Sequence, residues 1–220
     1  MKQKKSNRPL LLSITGDIAS GKSSVTKYFS DKGYLVYSAD DINAQILKRA
    51  NTINDLVNLF GKAILKTSNS IMEIDKQKFR EIIFSNQYQN VKKLNDYLHP
   101  KILFEMQQYI NNCNDKILFF EVPLLFECNL QYCFDINIIV TAEYKIKIER
   151  IIKRDNCSED IAKNILKNQI NQEIKQSLSD IIIDNNFDLD SLIKQLNVLE
   201  MCIHFFKKKN RVTLLSDISC

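Results

Sequence analysis

The residues best suited to chemistry lie near the start of the chain, between a short apolar run and a predicted helix. They follow the spacing G-x-x-x-x-G-K-[ST]: Gly16, Asp17, Ile18, Ala19, Ser20, Gly21, Lys22 and Ser23, with Ser24 next in the helix. Two glycines let the backbone curl so that its N–H groups face a phosphate, and the helix adds unpaired N–H groups and a positive dipole end. The spacing therefore predicts a phosphate-binding loop that holds ATP.

Each side chain of this loop has its own expected contribution. Lys22 supplies a mobile ammonium group to the β and γ phosphates, and the Ser23 hydroxyl can ligate Mg²⁺. Asp17 places a carboxylate inside the loop. Two interpretations of Asp17 stay open, since its carboxylate either repels phosphate or points away from it.

The class of phosphate-loop protein can be narrowed from the rest of the sequence. A GTPase needs D-x-x-G to sense the γ-phosphate, and none of the four glycines has Asp three residues before it. The N-K-x-D pattern for guanine is also absent from the sequence. A small kinase remains, which would need a segment that binds the phosphate acceptor and a lid that carries arginine.

Short apolar runs alternate with helical segments along the chain. The runs predict strands at 10–15, 34–37, 116–122, 135–140 and 180–184, and helices are predicted at 23–31 and 189–206. Buried strands separated by helices are typical of a mostly parallel sheet with helices on both faces. Because such sheets bind ligands beyond the carboxyl ends of their strands, the rule points to 16–23, 38–41, 121–127 and the residues after 184.

The domain organisation follows from these elements. We expect a single domain over 1–220, with its core at about 8–41, 113–142 and 176–206. The remaining segments are a helical acceptor-binding insertion at about 42–112, a lid at about 143–175 and a basic tail at 207–220.

Composition excludes several classes of protein. The 220 residues are 45% hydrophobic and 26% charged, which excludes collagen-like and intrinsically disordered chains, and no apolar stretch reaches the roughly 18–20 residues of a membrane span. Six cysteines without C-x-x-C spacing, and only two histidines, form no familiar zinc set. With no secretory signal we expect reduced thiols and a cytoplasmic protein. The net charge of +5 is interpreted as a solvated basic surface, with a preference for phosphate-bearing ligands as the alternative.

A family resemblance becomes visible at this point. The segments TGDIASGKSSV, YLVYSADDI, FGKAI, FREIIFSN, LHPKI, VPLLFE, ERIIKRD, NQI and SDIIIDNN occur in this order, over about residues 10–186. With them the chain resembles the dephospho-CoA kinase family. The resemblance implies a three-layer P-loop kinase fold with a five-stranded parallel sheet. It also implies transfer of a phosphoryl group from ATP, with Mg²⁺, to the ribose 3′-hydroxyl of dephospho-CoA, the last step of coenzyme A biosynthesis.

The family pattern is not kept at every position. The first Asp of its D-A-D segment is Ser38 here, a glutamine of its lid helix is Lys147, and a glycine after its D-N pair is Phe187. Further departures lie in the insertion, at Met72, Lys76 and Leu103. These positions concern the acceptor segment and the adenine-side turn, whereas the phosphate loop, Asp40 and the lid arginines match.

Three residues are predicted to act on the reacting groups. Asp40, after the second strand, is predicted to orient and deprotonate the attacking hydroxyl; the alternative is a helix N-cap for 41–50. Arg150 and Arg154 are four residues apart on one helix face and are predicted to hold the transferring group. Their alternative is ion pairing with lid acids such as Asp155.

Residues after the third strand are assigned to metal and acceptor. Glu121 is predicted to hold a magnesium-bound water, with an ordinary strand-end carboxylate as the alternative. Pro123, Leu124, Leu125 and Glu127 are predicted to line the acceptor side, the two leucines as core and pocket wall. Glu127 either binds substrate or caps a helix.

The remaining assignments concern the insertion and the last strand. Arg80 and His99 are predicted acceptor contacts, and Asn185 is predicted to bind ATP. Pro100 is expected to place His99 near a helix start, and the alternatives for His99 are a hydrogen bond to the backbone and general-base chemistry. We expect a small-molecule substrate, no nucleic-acid or membrane partner, and a monomer or weak homo-oligomer. Three rival functions stay open: another small-molecule or nucleotide kinase, a catalytically silent ATP-binding regulator, and a nucleic-acid-binding module.

Overall fold

Two units make up the fold. A computed structural model describes residues 8–66, 72–167, 169 and 171–209, and for residues 87, 88 and 206–209 it describes the backbone alone. One unit combines the chain up to Ser38 with the chain from Cys113 onward, and the other is Ala39–Asn112. The predicted insertion, 42–112, falls within the second unit. Most of the predicted basic tail lies outside the described residues.

The first unit is built on five parallel strands. They are β1 (Leu10–Gly16), β2 (Leu35–Ser38), β3 (Ile117–Glu121), β4 (Ile136–Thr141) and β5 (Ile181–Asp184). Their order across the sheet is β2-β3-β1-β4-β5. The parallel sheet predicted from the apolar runs is confirmed, and β4, with every residue buried, shows why those runs are continuous rather than alternating.

Nine α-helices occur within the described residues. They are α1 (Lys22–Asp31), α2 (Ala39–Ile46), α3 (Ala50–Phe60), α4 (Lys76–Ser85), α5 (Gln87–Asn111), α6 (Tyr144–Asp155), α7 (Glu159–Lys167), α8 (Gln172–Ser177) and α9 (Leu189–Lys209). None of these helices is both long and apolar enough to cross a membrane.

The main core of the first unit lies between the sheet and two helices. Val25 and Phe29 of α1 are buried against β1 and β3, and Phe29 stacks on Phe119 with ring centroids 4.2 Å apart. The helix α9 adds an apolar face formed by Leu192, Leu196, Leu199 and Ile203. This packing fixes β1 and α1, the two elements between which the predicted phosphate loop runs.

The predicted lid segment contains three helices. Asn156 ends α6 in a left-handed conformation with φ of 48°, and the Asn171 side chain accepts a hydrogen bond from the Glu173 amide at the start of α8. Buried residues of α6 and α7, including Ile151 and Ala162, pack with Ile18 and Ala19 of the loop. The helices α6 and α7 therefore pack directly against the loop.

The second unit is helical, and its longest helix corrects one expectation. Pro100 lies inside the 25-residue helix α5, so His99 is not near a helix start. Proline removes one backbone donor and disfavours a helix interior. The helix continues through it, and Leu98, Met106 and Ile110 are buried on either side. Burial of this apolar face outweighs the local preference that guided the prediction.

Candidate active site

The loop between β1 and α1 depends on glycine at both ends. Gly16 has φ of 144° and Gly21 has φ of 100°, a region that side chains disfavour. A Cβ atom at Gly16 would collide with the Val140 carbonyl oxygen, and one at Gly21 would collide with Nδ2 of Asn185. Both glycines therefore allow neighbouring groups to approach the loop closely.

The interior of the loop has the groups that phosphate requires. Nζ of Lys22 donates to the carbonyl oxygens of Gly16 and Asp17, at 2.8 and 2.9 Å. The first N–H groups of α1 have no acceptor within their own helix. An ammonium group held across the loop and a helix N-terminus behind it together form a phosphate-binding arrangement, so the loop fits ATP.

Arg150 and Asn185 hold the outer side of the loop. The Arg150 guanidinium donates to the carbonyl oxygens of Ala19 and Ser20, both at 3.2 Å, and to that of Asn185 at 2.9 Å. The Asn185 amide donates to the Ser20 carbonyl at 2.8 Å. Since C=O and the following N–H point in opposite directions across a trans peptide, these bonds turn the Gly21 N–H away from Arg150 and Asn185.

The two lid arginines therefore differ in their surroundings. Arg150 has backbone partners in the loop, whereas the Arg154 side chain is 58% exposed and pairs with Asp155 at 2.7 Å. The Arg154 hydrogen bond lowers the pKa of Asp155. This is the ion pair that the alternative interpretation named. The predicted contact of either arginine with a transferring phosphoryl group stays a prediction.

Asp17 is directed into the protein. Its side chain is 6% exposed, and its two oxygens contact different lysines: Lys147 Nζ at 2.6 Å and Lys175 Nζ at 3.2 Å. Lys175 is itself almost fully buried and contacts Glu127 at 2.7 Å. The structure therefore favours the interpretation in which the carboxylate points away from the phosphate position.

Sequence reasoning missed two residues that contact the loop. Lys175 gave no signal, because a lysine in a charged helical segment is ordinarily a surface residue. Gln169 accepts a hydrogen bond from the Ile18 amide at 3.1 Å. The only sequence signal for Gln169 was its place in the NQI segment of the resemblance.

The segment after β3 divides between core and surface. Leu124 is 54% exposed, whereas Leu125 is fully buried. The burial of Leu125 agrees with the core part of its assignment, and the predicted contact of Leu125 with the acceptor stays a prediction. The Pro123 carbonyl accepts a hydrogen bond from Thr15 at 3.4 Å. Glu127 pairs with buried Lys175, a partner that neither predicted role included.

Three predicted acceptor or catalytic residues belong to the helical unit. Asp40 is exposed in the first turn of α2, which begins at Ala39, so Asp40 lies inside the helix rather than at the N-cap. Arg80 is exposed on α4, and His99 is half-buried on α5. Burial lowers the pKa of His99, and the Asp96 carboxylate opposes this effect. A low pKa keeps His99 neutral near pH 7.

Two oxygen donors could serve Mg²⁺. Ser23 is exposed in the first turn of α1, and Glu121 ends β3, where it pairs in register with Ser38 of β2 and Ile14 of β1. Hydroxyl and carboxylate oxygens are ligands that Mg²⁺ accepts. The described residues contain no group of three or more His, Cys, Asp or Glu side chains suited to a metal.

Known proteins resemble the chain over most of its length. The family model for dephospho-CoA kinase matches residues 10–191. A dephospho-CoA kinase of Fusobacterium nucleatum is 35% identical over 187 residues, which cover 85% of this chain and 95% of that protein. One from Oceanobacillus iheyensis is 34% identical, covering 87% and 96%. The chain belongs to the dephospho-CoA kinase family.

Solved structures agree with this family assignment. The structure of dephospho-CoA kinase from Campylobacter jejuni has a TM-score of 0.58 and 27% identity, covering 88% of this chain and 96% of that one. A Thermus thermophilus protein has a TM-score of 0.77 at 24% identity, covering 88% and 97%, and supports the fold alone. A member of the dephospho-CoA kinase family with a phosphate loop of this geometry is a P-loop kinase.

Proposed function

We propose that this chain transfers the γ-phosphoryl group of ATP to the ribose 3′-hydroxyl of dephospho-CoA, which yields CoA and ADP. The observation that carries this proposal is the formed phosphate loop, with Lys22 bridging two of its carbonyls, in a chain of the dephospho-CoA kinase family. We therefore favour this reaction over the three rival functions: another small-molecule or nucleotide kinase, a silent ATP-binding regulator, and a nucleic-acid-binding module.

The proposed reaction is a direct displacement at phosphorus. The acceptor oxygen forms a bond to the γ-phosphorus while the bond from that phosphorus to the bridging oxygen of ADP breaks. The proton of the acceptor hydroxyl passes to the Asp40 carboxylate. Lys22 and the loop amides hold the phosphates, and positioning of this kind supplies most of the catalysis in phosphoryl transfer.

The lid arginines and magnesium complete the proposed assignment. Arg154 balances charge on the transferring group, and Arg150 does so while holding the loop through its carbonyls. Ser23 and Glu121 would hold Mg²⁺, which neutralises phosphate charge when bound. Asn185 shapes the ATP side through Ser20. Arg80, His99, Pro123, Leu124 and Glu127 are proposed to serve the acceptor side.

The decisive experiment measures ADP release from Mg-ATP with and without dephospho-CoA. AMP, shikimate and a nucleoside are tested in parallel, and the product mass is recorded. Stimulation by dephospho-CoA, with a product heavier by one phosphoryl group and loss of activity on chelation of magnesium, is expected. Stimulation by another acceptor alone would contradict the proposed substrate, and ATP binding without stimulation would favour the regulator.

The setting of the reaction is part of the same proposal. We propose that the enzyme works in the cytoplasm, where ATP is available and its cysteines remain reduced. The five described cysteines are free thiols. We propose a monomer or weak homo-oligomer, and sedimentation at micromolar concentration would test it.

A further inference from the structure

Four charged side chains form a buried network beside the phosphate loop. Lys147 contacts Oδ2 of Asp17 at 2.6 Å, and Lys175 contacts Oδ1 of Asp17 at 3.2 Å. Lys175 also contacts Glu127 at 2.7 Å, and Lys147 donates to the Gln172 side chain at 2.9 Å. The side chains of Asp17, Lys147 and Lys175 are 6%, 6% and 1% exposed, whereas that of Glu127, at the edge of the network, is 21% exposed.

The charges of this network cancel. Two carboxylates, Asp17 and Glu127, face two ammonium groups, Lys147 and Lys175, so the net charge of the four is zero. Water cannot screen such a group well, and removal of one member leaves an uncompensated charge. Asp17 is one residue from Gly16, where the loop begins, and both lysines contact Asp17 directly. Any imbalance would therefore act on the anionic phosphates that the loop binds.

We propose that Lys147 and Lys175 are positioning residues for ATP binding, because they neutralise Asp17 and keep its carboxylate turned away from the phosphates. The contact between Lys147 and Asp17 is the shortest in the network, so the negative Asp17 and the positive Lys147 form a matched pair. This inference rests on the proposed function, since it concerns how the same loop accepts ATP.

The proposal makes stability and ATP affinity respond differently to mutation. Asp17→Asn leaves the network at +1, Lys147→Gln leaves it at −1, and the two changes together restore zero. Stability should fall in both single variants, because each strands a buried charge. ATP affinity should instead follow the sign of the network charge: it should fall in Lys147→Gln, which is negative, and rise in Asp17→Asn, which is positive.

The test measures equilibrium binding of Mg-ATP and the melting temperature for wild type and these three variants. Lys147→Gln should weaken ATP binding by about ten-fold, the size expected for one charge acting over roughly a nanometre in a partly buried site. Asp17→Asn should tighten it by about two- to five-fold despite a lower melting temperature. The double variant should return to within about three-fold of wild type in affinity.

A matched control removes the same charge from the exposed surface. Lys163 on α7 forms an exposed ion pair with Glu159, and Lys163→Gln should change ATP affinity less than two-fold. Raised salt should narrow the difference between Lys147→Gln and wild type only partly, because burial limits screening of the network.

Several outcomes would overturn the proposal. It fails if Lys147→Gln binds ATP as wild type does, if Asp17→Asn binds ATP more weakly, or if the double variant is no better than Lys147→Gln. If Lys147→Gln does not fold, the other two variants still test the proposal. Asp17→Asn must bind ATP more tightly than wild type, and the double variant must bind it with nearly wild-type affinity. A wild type that binds ATP without phosphorylating dephospho-CoA contradicts the proposed function and leaves this test intact.

Discussion

Asp40 and Asp41 are adjacent carboxylates, both exposed in the first turn of α2, which makes them a matched pair. Asp40→Asn should lower kcat by roughly 10²- to 10⁴-fold, the range associated with loss of a general base. Its ATP affinity and melting temperature should stay close to wild type, because an exposed Asn remains acceptable in the first turn of a helix. Steady-state kinetics with dephospho-CoA and a thermal melt check both parts.

The neighbour separates catalysis from helix stabilisation. Asp41→Asn removes an equal charge from the same helix end, so it should match Asp40→Asn in melting temperature while it retains turnover. Equal turnover in the two variants would show that Asp40 contributes only to the helix N-terminus, and would remove it from the proton-transfer step.

Substitutions of Arg150 and Arg154 should have different effects, because the two side chains have different partners. Arg150→Ala deletes donors to three backbone carbonyls and should weaken ATP binding, lower kcat and lower the melting temperature together. Arg154→Ala deletes an exposed ion pair worth at most about 1 kcal/mol, so its melting temperature should hardly change while kcat falls. ATP binding, kcat and melts on both variants are the measurement; a large loss of stability in Arg154→Ala would contradict it.

At the scale of helices and strands, the features that could be predicted were those set by hydrophobic periodicity and by glycine spacing. The apolar runs of β1 and β4 and the spacing from Gly16 to Lys22 each carry a strong local signal. The lid was predicted as one charged helical stretch. Asn156 and Asn171, which separate its helices, are weak helix-boundary signals in a chain that is rich in Asn. Pro100 was misleading, because burial along α5 outweighs the local cost of proline.

Side-chain burial was the part of the site that the sequence could not provide. Lys175 and Lys147 look like solvated residues by type, and only the three-dimensional proximity of Asp17 explains their burial. The burial of Leu125 was equally open, because apolar residues beside a binding motif suit a pocket wall and a core equally well. The loop itself was predictable, whereas the residues that support it were not.

A hydrogen-bonded cluster joins α9 to α1 and to the residues just after α1, and it predicts how stability changes at alkaline pH. Tyr34 donates to Glu200 at 3.1 Å, and burial together with this bond raises the pKa of Tyr34 to about 12 from 10.0. The folded state thus holds this proton more tightly than the unfolded state. Its stabilisation is fully present below about pH 10 and is lost as the pH rises towards about 12. Chemical denaturation between pH 8 and 12 should show this loss.

Substitution of the tyrosine tests the assignment. Tyr34→Phe should be less stable at pH 8, because Glu200 loses a donor, and should lose less further stability than wild type on the alkaline side. Tyr132→Phe, at a tyrosine that is 66% exposed, is the matched control and should follow wild type. A Tyr34→Phe profile parallel to that of wild type would refute the assignment.

The same cluster also predicts that the stability of the protein falls at acid pH. Burial alone raises the pKa of Glu200, yet the hydrogen bonds from Lys32, Tyr34 and Tyr28 outweigh it, so the net pKa is lowered. A lowered carboxyl pKa gives stability that is present above the unfolded value of about 4.5 and is lost as the pH falls through the folded value. Glu200→Gln should therefore lose less stability than wild type as the pH falls, measured by the same chemical denaturation extended to acid pH.

On the scale of the whole first unit, Lys175 joins segments that are distant in the chain. It lies 158 residues from Asp17, and it also holds Glu127 after β3. The loop after β1, the segment after β3 and the helix α8 therefore meet at one ammonium group. Since unfolding one of these segments strands charges on the others, Lys175 should make their unfolding cooperative.

Lys175→Met tests this coupling. It leaves the network at −1 and should destabilise the protein by about 3–5 kcal/mol, the cost of breaking a buried pair. Adding Glu127→Gln restores zero net charge and should recover much of that loss, although Glu127→Gln alone, at +1, should also destabilise. Denaturant unfolding of the three variants gives the coupling energy from a double-mutant cycle. Additive losses in the double variant would mean that Lys175 contributes packing alone, because a charge network requires the two substitutions to compensate.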